Sequence, residues 1–273
     1  MVYADATLVE VGYEIANKVG GIYTVLASKA EYSKKNVKDY YTIGPYYEKN
    51  AAIEFEEKDP PKGMKEAFED IKRKHGIHCR FGHWLVDGKP NCILIDPREF
   101  RAKVNTIKRE LWDENKVDSL HADWWYDEPL PWARATGIVI EELYNAGVFG
   151  KHTIAHFHEW LCGPGLLYLK NRKPEIKTVF TTHSTVLGRS IAEIGREDLY
   201  QLINNGLSKN ASVPDGKAYE YKCEAKHLLE KATAHNAHVF TSVSETIIPE
   251  CHYILGRKPD VILPNGLNMN RFP

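Results

Sequence analysis

The chain has 273 residues, of which 43% are hydrophobic and 27% charged, with a formal net charge of −1. That length suits one large α/β domain or two small ones and is ample to bury a core. The near-neutral balance provides no global field for nucleic acid or an anionic membrane, so neither is an expected partner, and any anionic ligand has to be held by local groups.

Short β-rich runs alternate with helical patterns, which points to a parallel sheet with crossover helices. Ala6 to Val11 is predicted as a first strand, and Ile22 to Lys29 as a helix after the turn Asn17-Lys18-Val19-Gly20-Gly21. Tyr40 to Pro45 is a second strand ending in turn residues. Met64, Ala67, Phe68 and Ile71 fall at i, i+3, i+4 and i+7, an amphipathic helix ended by Gly76. Cys92 to Asp96 follows as a buried strand, then a Lys- and Arg-rich helix from Phe100 to Glu114 whose interleaved acids mark a solvated face. Val117 to Pro131 reads as irregular and aromatic, and Ala133 to Asn145 as a long helix. The alternation resumes with a strand at Thr153 to Phe157, a helix near Leu166 and a strand at Thr178 to Thr182. Tyr221, Ala225, Leu228, Leu229 and Ala232 share one helix face, and strands at Val239 to Ser242 and Val261 to Leu263 complete the series.

There is no internal repeat, low-complexity tract or Gly/Ser linker. One α/β domain follows, a Rossmann-like, doubly wound, mostly parallel sheet spanning 1–273, and such sheets bind ligands beyond the carboxyl ends of their strands. The five cysteines are widely spaced with no C-x-x-C pair, which favours reduced thiols. Met1 to Asp5 has no signal-peptide pattern and no apolar run approaches the roughly 20 residues of a membrane helix. A cytoplasmic location is expected.

The residues able to do chemistry cluster at the predicted strand ends. Lys18-Val19-Gly20-Gly21 lies between the first strand and helix. Bare glycines admit a ligand close to the backbone, the helix N-terminus offers unpaired N–H groups, and Lys18 adds a charge. The bland alternative is a tight turn, since neither the dinucleotide fingerprint nor the phosphate loop is present. In His156-Phe157-His158-Glu159-Trp160 the two histidines project to one face of a strand. They suit a metal, the hydroxyls of a sugar, or a satisfied structural pair. His183 follows an apolar strand, and Arg189, six residues on, carries a fork suited to phosphate oxygens or to a surface ion pair. Pro264-Asn265-Gly266-Leu267-Asn268 follows the last strand and by itself reads as a turn. Trp124, Trp125 and Tyr126 offer flat surfaces for stacking on sugar rings, or simply loop packing, which is the commoner role.

Taken in order, several long motifs resemble the glycogen synthases of the animal and fungal type. They are Glu14-Ile15-Ala16-Asn17-Lys18-Val19-Gly20-Gly21-Ile22-Tyr23-Thr24-Val25-Leu26, Ile43-Gly44-Pro45-Tyr46, Phe81-Gly82-His83-Trp84-Leu85 and Ala155-His156-Phe157-His158-Glu159-Trp160. Thr181-Thr182-His183-Ser184-Thr185-Val186-Leu187-Gly188-Arg189, His238-Val239-Phe240-Thr241-Ser242-Val243-Ser244 and Arg257 to Asn268 continue the match over nearly the whole chain. The resemblance implies the N-terminal, acceptor-side half of a two-domain GT-B fold, with the C-terminal nucleotide-binding domain lying outside a chain that stops at Phe272-Pro273. It implies transfer of glucose, with retention, from a sugar nucleotide such as UDP-glucose to the 4-hydroxyl end of an α-1,4-glucan, without a metal cofactor.

By the same resemblance Lys18, Gly20, Gly21 and Arg189 would face the donor phosphates, while His183, Glu159 and Asn265 would line the glucose site. The His183 carbonyl would steady positive charge at the anomeric carbon, and His156, His158, Trp125 and Tyr126 are candidate sugar or acceptor contacts. Glycogen, a glycogenin-like primer protein and a second copy of the chain are the implied partners. The leading residues of Trp124-Trp125-Tyr126-Asp127 and the segment from Asn210 to Gly216 depart from the family pattern. A non-catalytic glucan- or partner-binding module, and a metal-dependent hydrolase built on His156, His158 and His183, are the alternatives from other classes.

Overall fold

A computed structural model describes residues 3–173, 175–266 and 268. In chain order the elements are β1 (Tyr3–Val11), α1 (Ile22–Asn36), β2 (Val37–Pro45), α2 (Glu48–Glu54), β3 (Phe55–Glu57), α3 (Lys62–His75), β4 (His78–Trp84), β5 (Asn91–Asp96), α4 (Val104–Asn115), α5 (Trp124–Asp127) and α6 (Leu130–Asn145). They continue with β6 (His152–His158), α7 (Gly163–Arg172), β7 (Lys177–Thr182), α8 (Val186–Ile194), α9 (Leu199–Leu207), α10 (Gly216–Glu220), α11 (Glu224–Asn236), β8 (Val239–Ser242), α12 (Ile247–Glu250) and β9 (Val261–Ile262).

The strands form one sheet in the order β3-β4-β5-β2-β1-β6-β7-β8-β9. From β5 through β9 all neighbours are parallel, and only β3–β4 and β4–β5 are antiparallel. The Rossmann-like doubly wound expectation therefore holds, with an antiparallel edge that the sequence pattern did not reveal. Chain order reverses at β1, which lies between β2 and β6. Loops leaving the carboxyl ends of β1 and β6 therefore diverge, and the crevice they open is where ligands bind in such sheets.

Several boundaries moved for local reasons. The helix expected from Ala133 begins at Leu130, because Pro131 sits in the first turn, where its missing N–H costs nothing. Tyr221 belongs to the end of α10, and α11 starts at Glu224. Gly76 closes α3 in the left-handed conformation at φ 70°, as the pattern predicted.

The two faces of the sheet differ in character. On one, Val9, Val11, Ala155, Phe157, Phe180 and Phe240 join the large apolar core with α3, α4, α6 and α7. On the other, α1 packs Tyr23, Leu26, Ala27 and Ala30 over Tyr40, Cys92 and Leu94. Beyond β1 that second face turns polar: Glu10, His156, His158, Thr181 and Thr241 are all buried there. The five cysteines are free, and among the described residues no helix is long and apolar enough to cross a membrane.

Helices α6 and α7 approach closely beneath β6. A Cβ on Gly137 would stand 2.7 Å from the Gly165 carbonyl oxygen, and one on Gly165 2.8 Å from that of Ala133. Alanine raises helix propensity by up to about 1 kcal/mol, but overpacking a contact against backbone costs about 1–3 kcal/mol. Gly137→Ala is expected to lower stability by roughly 1 kcal/mol or more on balance, read as a reduced urea midpoint at unchanged slope; a raised midpoint would show that the helices separate freely.

Candidate functional site

At the carboxyl end of β6 the backbone turns sharply. Glu159 adopts φ 66°, a conformation uncommon for a residue with a side chain. Its N–H still donates to Thr181 O (2.9 Å), while its carboxylate swings under the end of β7 and accepts the His183 N–H at 2.7 Å. Glu159 and His183 are thereby joined. Burial pushes the Glu159 carboxyl up to about 7, against the backbone N–H bonds and Arg189, which favour the ion. Burial likewise pulls the His183 imidazole down to about 3, helped by the neighbouring His158, Lys29 and Arg189, so the ring is neutral at physiological pH.

Arg189 lies in the first turns of α8, exposed, and its Nη2 donates to Ser184 Oγ at 2.5 Å. The start of that helix is filled from inside by two buried acids. Glu250 accepts the Thr185 N–H (2.8 Å) and hydroxyl (2.6 Å), and Glu230 accepts the Val186 N–H (2.8 Å) and the Thr182 hydroxyl (2.7 Å). Burial and the nearby Glu159 charge push the Glu230 carboxyl up to about 8. Neither acid stood out in the sequence. Glu230 was one more charge in a helical run, and Glu250 lies far along the chain from the turn it caps.

The Lys18 to Gly21 turn lies at the N-terminus of α1, as expected, but the protein supplies its own anion there. Glu14 Oε2 accepts the Tyr23 N–H at 2.8 Å, and the Gly20 N–H bonds the same carboxylate. A Cβ on Gly20 would come within 2.6 Å of Glu14 Oε1, whereas nothing stands within 4 Å of one on Gly21. Gly20 therefore makes room for Glu14, and Gly21 opens to the surface. Lys18 is exposed, with its ammonium 5.3 Å from the Tyr23 ring centre.

His156, His158, His183 and Asn265 line one cavity of about 280 Å³, closed on the other side by Lys29 and Tyr32 of α1. Lys18, Glu159 and Arg189 stand outside its wall. Leu267, of the expected Pro264 to Asn268 turn, lies outside the described residues, and Asn268 Nδ2 donates to Asp87 Oδ2 at 2.8 Å. The aromatic run does not reach this cavity. Trp125 is exposed and meets Trp124 edge-on at 5.0 Å, while Tyr126 is only 1% exposed and stacks on Trp160, so it packs a loop.

Beneath the cavity floor lies a group that the pattern Leu8-Val9-Glu10-Val11 carried unnoticed. The fully buried Glu10 accepts from His158 Nε2 at 2.8 Å and from the Tyr40 hydroxyl at 2.5 Å, and pairs with the Lys29 ammonium. Burial opposes its ionisation, but Lys29 and the His158 bond outweigh burial and hold the carboxyl well below its usual range. Ligand atoms of Glu10, His156 and His158 lie within 4.8 Å of one another, close enough to hold a metal ion. Lys29 already brings a positive charge to the same carboxylate oxygen, so a metal there would compete with a built-in cation.

The family of proteins described as glycogen synthase matches residues 10–273. The chain belongs to the glycogen synthase family. Over 98% of its length it is 36% identical to the liver glycogen [starch] synthase of Mus musculus and 38% identical to the glycogen [starch] synthase of Dictyostelium discoideum. It spans 37% and 30% of the lengths of those two relatives. Among solved structures, the catalytic domain of starch synthase IV from Arabidopsis thaliana, bound to ADP and acarbose, superposes with a TM-score of 0.52 at 14% identity. That likeness, covering 98% of this chain and 52% of that one, is one of fold. Glycogen synthase membership and a glycosyltransferase fold thus agree with the sequence motifs.

The raised Glu159 carboxyl has a consequence for stability. An unfolded glutamate loses its proton near 4.5, whereas Glu159 in the folded chain keeps it to about 7. Between those values the folded state binds more protons, so this residue's contribution to stability falls as pH rises. Glu159→Gln, which keeps an acceptor for the His183 N–H, is expected to reduce the loss of stability between about pH 5 and 7 in urea titrations. An unchanged pH slope would show an ordinary, ionised carboxylate.

Proposed function

We propose that this chain is the N-terminal, acceptor-side domain of a retaining glycogen synthase, transferring glucose from a sugar nucleotide, UDP-glucose by our reading, to the 4-hydroxyl end of an α-1,4-glucan. The observation that carries the proposal is the convergence of Glu159, His183 and Arg189 at the β6–β7 edge, beside the cavity lined by His158, His183 and Asn265. Cleaving a sugar–pyrophosphate bond puts negative charge on phosphate and positive character on the anomeric carbon. Fixed cations serve the first, and fixed carbonyl or carboxylate oxygens the second.

Lys18, Arg189 and the open backbone at Gly21 are the donor-phosphate groups in this reading. The His183 carbonyl and the Glu159 carboxylate are the oxygens that steady the sugar. His183 and Asn265 hold its hydroxyls, and His158 and His156 stand behind them in the cavity wall, bonded to protein groups. No resident cofactor is assigned. A second domain would complete the cleft and read the nucleotide base, so transfer by this chain alone is expected to be slow or absent. Glycogen, a glycogenin-like primer, assembly with further copies and a cytoplasmic setting belong to the same proposal.

Titrating UDP-glucose into the protein by calorimetry tests it. Hydrogen bonds to charged groups contribute about 1.5–3 kcal/mol, so Lys18→Ala and Arg189→Ala should each weaken donor binding by about tenfold or more. Tight maltooligosaccharide binding that survives both substitutions, with no response to UDP-glucose, would favour a glucan-binding module instead.

A further inference from the structure

The cavity is floored by a chain of hydrogen bonds whose proton positions follow from one group. Ionised Glu10 is an acceptor only, so the 2.8 Å bond from His158 is donated by Nε2–H. Burial holds His158 neutral, and a neutral imidazole carries one N–H, leaving its Nδ1 bare. That Nδ1 faces His183 Nε2 at 3.4 Å, which makes His183 the donor. His183 is neutral as well, so its single proton is used in this contact and its own Nδ1 is bare. Among the described residues that Nδ1 has no protein partner, it is not one of the buried unpaired atoms, and the ring lines the cavity.

A second branch leaves the same carboxylate. His156 Nδ1 lies 3.4 Å from Glu10 Oε1, and its Nε2 meets the Thr181 hydroxyl at 2.6 Å, which in turn meets Thr241 at 2.6 Å. His156 and Thr181 also line the cavity, but both ring nitrogens of His156 face protein partners, Glu10 and Thr181, so the bare ring nitrogen lies on the His158–His183 branch. Lys29 and Tyr40 close the remaining positions around Glu10.

We propose that Glu10 is a positioning residue that acts through His158: it fixes His183 as the Nε2–H tautomer and so presents a bare Nδ1 to accept a hydrogen bond from one hydroxyl of the bound sugar. The inference about the sugar rests on the donor-site reading above, whereas the tautomer does not. An acceptor at this point distinguishes a hydroxyl, which donates, from a group of similar size that only accepts. Side-chain polarity alone would not make that distinction; a histidine free to exchange tautomers would serve either partner.

Two measurements separate the parts of the proposal. Long-range proton–nitrogen NMR on the protein with 15N-histidine, with His183 assigned through His183→Gln, is expected to show His158 and His183 each as a single Nε2–H tautomer. Thr181→Val, which breaks only the His156 branch, should leave that signature in place. His158→Phe should release His183 into a mixture of tautomers. Should His158→Phe fail to fold, the unsubstituted protein still decides, because His183 protonated on Nδ1 would overturn the relay.

The second measurement titrates UDP-glucose and its mono-deoxyfluoro analogues, in which fluorine replaces a hydroxyl that could donate. At one ring position the analogue should bind about fivefold or more weakly, since an unmet acceptor costs about 1–3 kcal/mol. In His158→Phe that penalty should shrink. Equal binding of all analogues would overturn the sugar contact. If UDP-glucose itself does not bind, the donor reading fails while the NMR result judges the relay independently.

Discussion

The ion pair between Glu10 and Lys29 is the constraint on which the centre of this sheet depends. A carboxylate with no exposed surface near the carboxyl end of a strand is costly unless it is paired and hydrogen-bonded. Here Lys29, His158 and Tyr40 all converge on it, from α1, β6 and β2. The same contacts tie a surface helix to three neighbouring strands at the place where chain order reverses. Packing and polarity are thus set by one side chain. Apolar residues alternate onto the opposite face to build the core, and the polar ones left over have nowhere to go but toward the crevice.

That arrangement explains why the ring groups at the cavity are neutral while the acids beside it are hard to ionise. His156, His158 and His183 lie close to Lys29, and burial favours their uncharged forms. Glu159 and Glu230 are buried as well and repel each other, yet both are held by backbone N–H groups at the start of α8 or the end of β7. The edge of the sheet is therefore a place where charge is withheld until something arrives to balance it, which is the condition under which fixed dipoles act strongly.

Much of this was legible in the sequence. Runs such as Cys92-Ile93-Leu94-Ile95 and the 3.6-residue spacing of Met64, Ala67, Phe68 and Ile71 are unambiguous, and the motifs around Lys18, His158 and His183 fall at or beyond the carboxyl ends of β1, β6 and β7, where the pattern put them. β4 was not legible: His78-Cys79-Arg80 is mixed and half-buried because the strand is antiparallel near the sheet's rim. The site's supporting acids were hidden for another reason. Glu10, Glu14, Glu230 and Glu250 act across 148, 9, 44 and 65 residues of chain respectively, and three of those distances are invisible to any local pattern. Glu10 alone left a trace, as the one charge in the predicted strand Ala6 to Val11.

Glu14 shapes how anions meet this surface. Its carboxylate already occupies the amide-rich start of α1, holding the Tyr23 and Gly20 N–H groups. A newcomer of equal charge gains little there, since it exchanges one carboxylate-like partner for another and must also dislodge a tethered competitor. Its apparent affinity is the intrinsic one scaled by the fraction of molecules in which Glu14 has swung aside. In the donor-site reading proposed above, a phosphate would have to bring more charge and more oxygens than Glu14 offers in order to displace it.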